Sequence, residues 1–356
     1  MPLLISISLP IFKVTSALTQ QSHDFFCKNS FSCLVYKRFA CDPNKWKSPL
    51  IPKYGVEIVL TVDQQGCGQF NSVQNAVDAV PDDHASSPTL IILDSGTYTE
   101  KVVVKNTKSH LIIEGQGYDN TFIAWDDTAS RSNGTFHSYS VGVFASNFIA
   151  YDISFKPRPG AVGGQAVALR IGGDQAAFYN CGFYGFQDTL HDDQGRHYFK
   201  NCFIQGSIDF IFGNATSLYQ DCNLNLVARG GSGINGGIAA QRRESSNVKS
   251  GFSFVNCRIE GTGKVFLGRA WGAYSTTVYI NTFMSQVITP EGWGDYGDPS
   301  RQQTVFYGEH ACSGPGSDFS SRVNYAKQLS EADAAPFMDI SYIDGQDWLH
   351  PDFMKI

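Results

Sequence analysis

The chain has 356 residues, of which 42% are hydrophobic, and it carries a formal net charge of −6 at neutral pH. This hydrophobic content excludes a disordered chain, and the modest negative charge argues against a nucleic-acid-binding protein, which is normally basic. The nine cysteines are spread out with no CxxC pair or Cys/His cluster, so neither a zinc site nor a small disulfide scaffold is indicated. No apolar stretch is long enough for a transmembrane helix, and no membrane association is expected.

The first 51 residues share no pattern with the rest and are predicted to precede a single folded domain at residues 52–356. They begin with the apolar run MPLLISISLPIF, followed by the small residues Thr15-Ser16-Ala17, as in a secretory signal. The run contains Pro10 and has no Lys or Arg ahead of it. An irregular N-terminal extension is therefore an equally open interpretation.

The domain is predicted to begin with a strand and a helix. Alternating apolar residues predict a strand at Val56–Val62, and apolar residues at helical spacing predict a helix at Ser72–Val80. A short helix ahead of a long β region is suited to cover an exposed sheet end. Short apolar runs separated by Gly, Asn and Asp then indicate further strands, first at Leu90–Leu93, Lys101–Lys105 and Leu111–Ile113.

One pattern recurs six times in the middle of the chain: an Asn or Asp, with an apolar residue three positions later. The copies begin at Asp152, Asn180, Asn201, Asp221, Asn256 and Asn281, 20 to 35 residues apart. Variable steps above a minimum near 20 residues fit stacked coils that share one core and carry loops of different length. We therefore predict an all-β fold, a parallel β-solenoid. The cysteine that follows the turn residue in four copies is predicted to be a small core residue.

The C-terminal tail is predicted to differ from the strands before it. It is rich in Gly and Ser from Ser313 to Phe319, and a helix is predicted within Tyr325–Ala335. Trp348 and Leu349 are expected to pack this tail against the solenoid. No second catalytic domain is indicated.

Two aspartates lie at the same place in consecutive copies. Asp188 follows Asn180 by eight residues, and Asp209 follows Asn201 by eight residues. Neighbouring strands lie about 4.8 Å apart, so the carboxyl groups are expected about 5 Å apart, where two charges repel by roughly 3 kcal/mol. One carboxyl is then protonated and the other ionised near neutral pH, a pair suited to act as acid and nucleophile. A ladder of solvated turn aspartates is the alternative explanation.

Polar and aromatic residues from other copies are expected around this pair. Gln187 and Gln165 offer neutral amide donors, which suit the oxyanion of an acyl transfer more than the cation of a sugar. Arg269 is suited to hold one aspartate ionised, and Trp271 to stack on a sugar ring. Each of these residues also has a plain structural explanation, in a polar ladder, a surface ion pair or the core.

Five stretches resemble the pectinesterases, or pectin methylesterases. They are GTYTE from Gly96, GGQAVALR from Gly163, GFQDTL from Gly185, DFIFGNA from Asp209 and LGRAW from Leu267. Their order and approximate spacing are those of the family, and the likeness runs from about residue 55 to the end. The chain is similar in length to the plant enzymes that lack the inhibitor-like pro-region.

The resemblance implies a fold and a reaction. The expected fold is a right-handed parallel β-helix with short capping helices at its N- and C-terminal ends. The expected reaction is hydrolysis of methyl esters of polygalacturonate, with release of methanol and without metal or cofactor. Asp209 is expected to be the nucleophile, and Asp188 the acid for the leaving methoxide and then the base for water. Gln187 and Gln165 are expected to stabilise the oxyanion.

The resemblance also implies how substrate is held. Arg269 is expected to orient Asp209 and, with Trp271, to line the substrate cleft. Thr135, in GTFHS, corresponds to a threonine that contacts substrate. Glu100, in GTYTE, is expected to be structural.

Three positions depart from the pattern of the family. Ala270 stands where Pro is usual, which is expected to free the loop that carries Arg269 and Trp271. His191 replaces a residue that is often aromatic or Asn, and a solvent-facing histidine is expected there. Gly294 stands where Asn is common, beside the cleft. None of these departures removes a catalytic group.

A glycoside hydrolase on the same solenoid and a non-catalytic wall-binding protein are the competing hypotheses. A retaining glycosidase also needs two carboxyl groups about 5–5.5 Å apart, so the aspartate pair alone does not exclude it. A lyase would need an acidic calcium-binding cluster, and the sequence near Arg269 contains none.

The expected partners are methylated pectin and a proteinaceous pectinesterase inhibitor, with no nucleic acid and no membrane. The enzyme is expected to be a monomer, secreted to the cell wall. Asn133-Gly-Thr is expected to be a surface glycosylation sequon, whereas Asn214-Ala-Thr lies too near the predicted site to carry a glycan.

Overall fold

The structure, a computed structural model, describes residues 41–82, 87–158, 164–228 and 233–353. Residues Asp42–Ile356 group into one compact unit. Most of the predicted N-terminal segment, with its signal-like run, Cys27 and Cys33, lies outside the described residues, so the domain start at residue 52 stays a prediction. No helix in the described ranges is both long and apolar enough to cross a membrane.

The strands form three parallel sheets. Each complete coil adds one strand to every sheet, and β1, β26 and β27 extend the first sheet alone in the described residues. The first sheet contains β1 (Ile58–Val62), β2 (Thr89–Leu93), β5 (Leu111–Glu114), β8 (Ile149–Tyr151), β11 (Ala176–Tyr179), β14 (Arg196–Lys200), β17 (Thr216–Gln220), β20 (Gly251–Val255), β23 (Thr276–Ile280), β26 (Phe306–His310) and β27 (Ala326–Gln328). The second contains β3 (Gly96–Thr99), β6 (Thr121–Trp125), β9 (Ser154–Pro157), β12 (Gly182–Phe183), β15 (Phe203–Gly206), β18 (Asn223–Leu226), β21 (Arg258–Gly261) and β24 (Phe283–Met284). The third contains β4 (Val102–Val104), β7 (Val141–Val143), β10 (Leu169–Ile171), β13 (Leu190–Asp192), β16 (Ile211–Gly213), β19 (Ile234–Gln241), β22 (Lys264–Ala270) and β25 (Trp293–Gly294).

Neighbouring strands within each sheet belong to successive coils. In the first sheet, for example, β11 pairs with β14 and β14 with β17. This is the arrangement of a parallel β-solenoid, and it confirms the fold predicted from the repeat. The four strands predicted individually are confirmed as β1, β2, β4 and β5.

A short helix closes the N-terminal end of the inner core. Two α-helices lie near the start of the described chain. The first, α1 (Leu50–Tyr54), precedes β1, and the second, α2 (Val73–Ala79), lies between β1 and β2. The apolar side chains of α2 are buried in the core that the sheets enclose. The Glu100 carboxylate accepts hydrogen bonds from the N–H groups of Val73 and Gln74, at 2.9 and 3.1 Å, where the helix dipole favours negative charge. The predicted helix and the structural role of Glu100 are both confirmed.

The six repeat residues lie at one turn of the coil, between a strand of the first sheet and the next strand of the second. Each has a backbone φ between 51° and 56°, in the left-handed region. Asn and Asp tolerate this conformation because their short polar side chains can bond locally, whereas most L-residues avoid it. Asn180 Nδ2 also donates a hydrogen bond to Asp152 Oδ1 on the previous coil, at 3.2 Å. The repeat in the sequence is therefore the signature of this turn.

The cysteines of the repeat line the inner core. Each is a free thiol with at most 2% exposure, and each donates to a backbone carbonyl of the preceding coil at 3.4–3.6 Å: Cys181, Cys202, Cys222 and Cys257. Their prediction as small core residues is confirmed. A row of stacked rings lies in the same core, with centroids 4.4–5.0 Å apart, formed by Phe178, Phe199, Tyr219, Phe254 and Tyr279.

A seventh copy of the turn follows β26 and has no Asn or Asp. Ala311 has a φ of 49°, and the Cys312 thiol after it donates to the Tyr279 carbonyl at 3.4 Å, as in the other copies. The sequence pattern missed this copy because it was defined by the polar turn residue. An alanine in the left-handed region has no side-chain hydrogen bond to offset its strain.

The tail contains a helix within the predicted range, but a strand that was not predicted precedes it. Residues Ala326–Gln328 form β27, which pairs with β26, and the only α-helix within Tyr325–Ala335 is α3 (Glu331–Ala334). The helix begins only after Ser330, whose side chain caps it, because the preceding residues complete the edge of the first sheet. Trp348 and Leu349 pack against the outer face of the first sheet, as predicted.

We expect Ala311→Asn to stabilise the protein by about 0.5–1 kcal/mol, because Asn tolerates the left-handed backbone better than Ala. Asn256→Ala, at the equivalent exposed turn, should destabilise by a similar amount. Urea unfolding of the two variants and the unchanged protein would measure both free energies of unfolding. Changes of the same sign in the two variants would contradict the turn assignment.

Candidate active site

Asp188 and Asp209 occupy equivalent positions on consecutive coils, just before β13 and β16. Leu190 pairs with Ile211 in the third sheet, so the two aspartates are in register. Both have positive φ, 62° and 46°, and both are almost buried, with 7% and 6% exposure. The equal spacing in the sequence therefore corresponds to two carboxyl groups on the wall of one cleft.

Asp209 is held by three donors from two later strands. Arg269, on β22, forms a bidentate ion pair with it: Nε donates to Oδ1 at 2.9 Å and Nη2 donates to Oδ2. The backbone N–H of Gly237, on β19, also donates to Oδ1 at 3.1 Å. Charge-assisted bidentate pairs are strong and fix direction, so one carboxylate of the pair is both ionised and oriented.

Asp188 has a pKa raised to about 7. Burial is the largest cause, and the charge of Asp209 is the second, because both disfavour a second negative charge. A hydrogen bond from the Gln165 side chain and the charge of Arg269 act in the opposite direction. From the sequence, repulsion between the two carboxyl groups alone was expected to separate their pKa values. In the structure, burial raises the pKa of Asp188 more than this repulsion does.

Gln165 and Gln187 lie on consecutive coils beside Asp188. Their backbones form an isolated bridge to each other, and Gln187 forms a second bridge to Ile208 of the next coil. Both side chains line the cleft. Two neutral amides are thus present next to the carboxyl pair, as the sequence predicted.

His191 is buried, which corrects the expectation of a solvent-facing histidine. It has 1% exposure and stacks between Phe136 and Phe212, with centroid distances of 4.7 and 4.4 Å. Its Nε2 lies 3.4 Å from Asp193 Oδ1, yet burial lowers its pKa. The side chain alternates with Asp192 along β13. Of the rings that cover it, Phe212 is its register partner on the next coil, and Phe136 comes from the loop before β7, two strands away in the third sheet.

A cleft of about 270 Å³ contains every residue predicted for the site. These residues are Thr135, Gln165, Gln187, Asp188, Asp209, Arg269 and Trp271. The remaining lining residues, Phe136, Phe212, Ala240 and Tyr296, were not predicted. Phe136 and Phe212 lie inside two of the motifs described above, GTFHS and DFIFGNA. Their nearness in sequence to Thr135 and Asp209 could have indicated that they line the cleft.

Tyr296 was not predicted, although it follows Gly294, which the sequence placed beside the cleft, by two residues. It lies in the loop after β25, has a φ of 62° and is 43% exposed. The Arg269 guanidinium lies 4.6 Å from its ring centroid, a cation–π contact. Gly294 pairs with Arg269 on the neighbouring strand, so it adjoins the cleft as expected.

Ala270 does not free the segment that carries Arg269 and Trp271. It is the last residue of β22 and is fully buried. Arg301 Nη1 donates to the Ala270 carbonyl and, at 2.7 Å, to the Trp271 carbonyl. The expectation drawn from the missing proline is corrected, because a side chain from another segment holds this backbone.

A larger cavity of about 400 Å³ lies between the first sheet and the tail, lined by Tyr54, Tyr179 and Trp348 among others. Its only carboxylate residue is Asp347, so it has no acid–nucleophile pair. Among the described residues, no group of His, Cys, Asp and Glu is arranged to hold a metal ion.

Comparison with known proteins identifies the family. The family model described as Pectinesterase matches residues 59–346. Probable pectinesterase 8 of Arabidopsis thaliana is 54% identical over 299 residues, which cover 82% of this chain and 76% of that protein. The chain belongs to the pectinesterase family.

Other relatives of the family agree with this assignment. Putative pectinesterase 14 of Arabidopsis thaliana is 52% identical over 303 residues, covering 84% of this chain and 90% of that protein. The solved structure of pectin methylesterase from carrot superposes with a TM-score of 0.79 at 35% identity, covering 83% of this chain and 95% of that one. The right-handed parallel β-helix and the enzyme class, a carboxylic ester hydrolase, are thereby confirmed for this pectinesterase.

If Asp188 acts as the acid, we expect kcat/KM of this pectinesterase to fall as pH rises through about 7, because its carboxyl loses its proton there. Gln165→Leu should move this alkaline limb to higher pH, since it removes a hydrogen bond that favours the ionised form. Initial rates of methanol release between pH 5 and 9 would locate the limb in both proteins. A limb that stays in place or moves to lower pH in the variant would contradict the assignment.

Proposed function

We propose that the protein hydrolyses the methyl esters of pectin, with Asp209 as nucleophile and Asp188 as acid and base. The observation that carries this proposal is the asymmetry of the pair. The Asp209 carboxylate is ion-paired with Arg269, whereas the pKa of Asp188 is raised to about 7. Two carboxyl groups with such different environments are suited to different roles in one reaction.

In the first half of the reaction, an Asp209 oxygen attacks the ester carbonyl carbon. The negative charge that develops on the carbonyl oxygen is stabilised by the side-chain amides of Gln187 and Gln165. Asp188, still protonated, gives its proton to the departing methoxide, and methanol leaves. An acyl–enzyme anhydride on Asp209 remains, and Asp188 is ionised.

In the second half, Asp188 accepts a proton from a water molecule that attacks the anhydride. The new carboxylic acid of the substrate leaves, and Asp209 regains its carboxylate and its pair with Arg269. Asp188 is again protonated, so the cycle closes without an added cofactor. Trp271 and Thr135, on the cleft wall, contact the sugar chain.

A glycoside hydrolase was the competing hypothesis for the same carboxyl pair. Two neutral amide donors beside the carboxyls favour the oxyanion of ester cleavage over the oxocarbenium ion of glycoside cleavage. The relatives named above are pectinesterases, which supports the same choice.

We expect Asp209→Asn to abolish methanol release from methylated pectin while the fold is retained, because the amide is isosteric but is a poor nucleophile. Asp221→Asn, an exposed turn aspartate of the same solenoid, is the matched control and should keep its activity. Methanol and new reducing ends would be measured together. Reducing ends formed in proportion to activity would identify a glycoside hydrolase instead.

We further propose that the enzyme is secreted to the cell wall, acts as a monomer and is controlled by a proteinaceous inhibitor. The signal-like start of the chain supports secretion. The large apolar side chains exposed in the described part of the chain are scattered singly: Ile58, Ile234, Val248 and Tyr296. Single exposed residues of this kind favour a monomer over a permanent oligomer.

We propose in addition that Asn133 carries an N-linked glycan and that Asn214 does not. Asn133 is exposed in a left-handed turn, two residues before Thr135 of the cleft wall. Asn214 Oδ1 accepts a hydrogen bond from Ser250 Oγ at 2.7 Å, and Thr216 of its sequon is only 5% exposed. The Asn133 site is therefore open to a bulky modification, at the rim of the cleft.

We expect glycopeptide mapping of the protein secreted from a eukaryotic host to find a glycan on Asn133 alone. Asn133→Gln should remove the whole glycan mass, whereas Thr135→Ser should keep it, because Ser preserves the sequon. A glycan on Asn214, or none on Asn133, would contradict this proposal.

A further inference from the structure

Arg301 lies behind the side of the cleft that holds the nucleophile. It belongs to the 3₁₀ turn Pro299–Gln303, and its side chain is 24% exposed. Its Nη1 donates to the carbonyls of Ala270 and Trp271, and its Nε donates to Asp298 Oδ2 at 3.1 Å. Trp271 lines the cleft. The Arg301 guanidinium therefore holds the backbone carbonyl before this residue and the carbonyl of the residue itself.

The same guanidinium also faces Tyr296. It lies 5.8 Å from the ring centroid, and the Arg269 guanidinium lies 4.6 Å from that centroid. The ring therefore contacts two cations, and each cation has its own carboxylate: Asp209 for Arg269 and Asp298 for Arg301. Cation–π contacts of this kind hold a guanidinium in place as well as stabilising it.

These contacts connect Arg301 to the nucleophile by two routes. The first is the backbone of Ala270 and Trp271, directly after Arg269. The second is the Tyr296 ring, which lies against Arg269 itself. No proline ring restricts position 270. Pairing of β22 with β19 and β25 holds Arg269 and Ala270 in the third sheet, and Arg301 adds side-chain hydrogen bonds where this strand ends.

We propose that Arg301 is a positioning residue for ester hydrolysis, which fixes Arg269 against Asp209 and Trp271 against the sugar chain. The proposal rests on the roles given above to Asp209, Arg269 and Trp271. A lysine could reach the two carbonyls, but it lacks the planar fork that bonds carbonyls and a carboxylate at once while facing a ring. Displacing a catalytic group by about 1 Å costs on the order of 100-fold in rate.

Arg243 is the matched control for a merely structural arginine. It is also half-buried and also holds backbone carbonyls, those of Ser245 at 3.1 Å and Ser246 at 2.7 Å, together with Thr276 Oγ1 at 3.0 Å. It does not line the Asp188–Asp209 cleft. Its loss should lower stability without changing the chemistry.

The test compares Arg301→Ala, Arg301→Lys and Arg243→Ala in the full chain, with methylated pectin as substrate. We expect Arg301→Ala to lower kcat/KM by about 10-fold to 100-fold, through both a lower kcat and a higher KM, because Arg269 and Trp271 both shift. Arg301→Lys should fall between this variant and the unchanged enzyme. Arg243→Ala should lower the melting temperature and leave kcat and KM within about twofold.

Unchanged kcat and KM in Arg301→Ala would overturn the inference, as would a loss that Arg243→Ala reproduces. If Arg301→Ala fails to fold, Arg301→Lys decides: kinetics equal to those of the unchanged enzyme would overturn the inference. An unchanged enzyme that releases no methanol would instead refute the proposed function. The two failures are therefore distinguishable.

Discussion

The structure depends on the in-register stacking of one coil upon the next. Each complete coil adds one strand to each of three parallel sheets, so equivalent residues of successive coils lie one strand spacing apart. In the inner core, aromatic rings of successive coils stack on one another, and the ring centroids of Phe199 and Tyr219 lie 4.4 Å apart with nearly parallel planes. Stacking in register also requires the same backbone turn in every coil, which is why Asn and Asp recur at positive φ.

The same constraint that organises the core creates the chemistry of the cleft. Two aspartates in register on consecutive coils form an unfavourable pair of like charges. The two carboxyl groups have different surroundings, which reduces this repulsion. Arg269 and the Gly237 amide stabilise charge on Asp209, whereas burial raises the pKa of Asp188. A carboxyl group of raised pKa beside an ion-paired carboxylate therefore follows from the fold plus one arginine.

Most of the site was predictable from the sequence because its residues lie on the repeat or in short motifs. Asp188 and Asp209 follow their turn residues by the same number of positions, and this equal spacing predicts that they lie in register on consecutive coils. Tyr296 lies only two residues after Gly294, which was expected beside the cleft, but it was missed because its loop has no copy in the repeat that would give its position. His191 was misjudged because the period of a strand shows that its side chain points out of the coil, but not that Phe136, from another coil, covers it.

The sequence by itself determined the solenoid, the turn residues, the small core thiols and the register of the two aspartates, because each is encoded by a local period or by equal spacing along the chain. Only the tertiary structure decided which contacts hold the side of the cleft that Arg269 and Trp271 form. Arg301, roughly thirty residues further on, hydrogen-bonds the backbone that directly follows Arg269. In the tail, the residues before α3 form β27 at the edge of the first sheet. Contacts between loops of unequal length leave no period in the sequence. They depend on how far each loop extends once the coils have stacked.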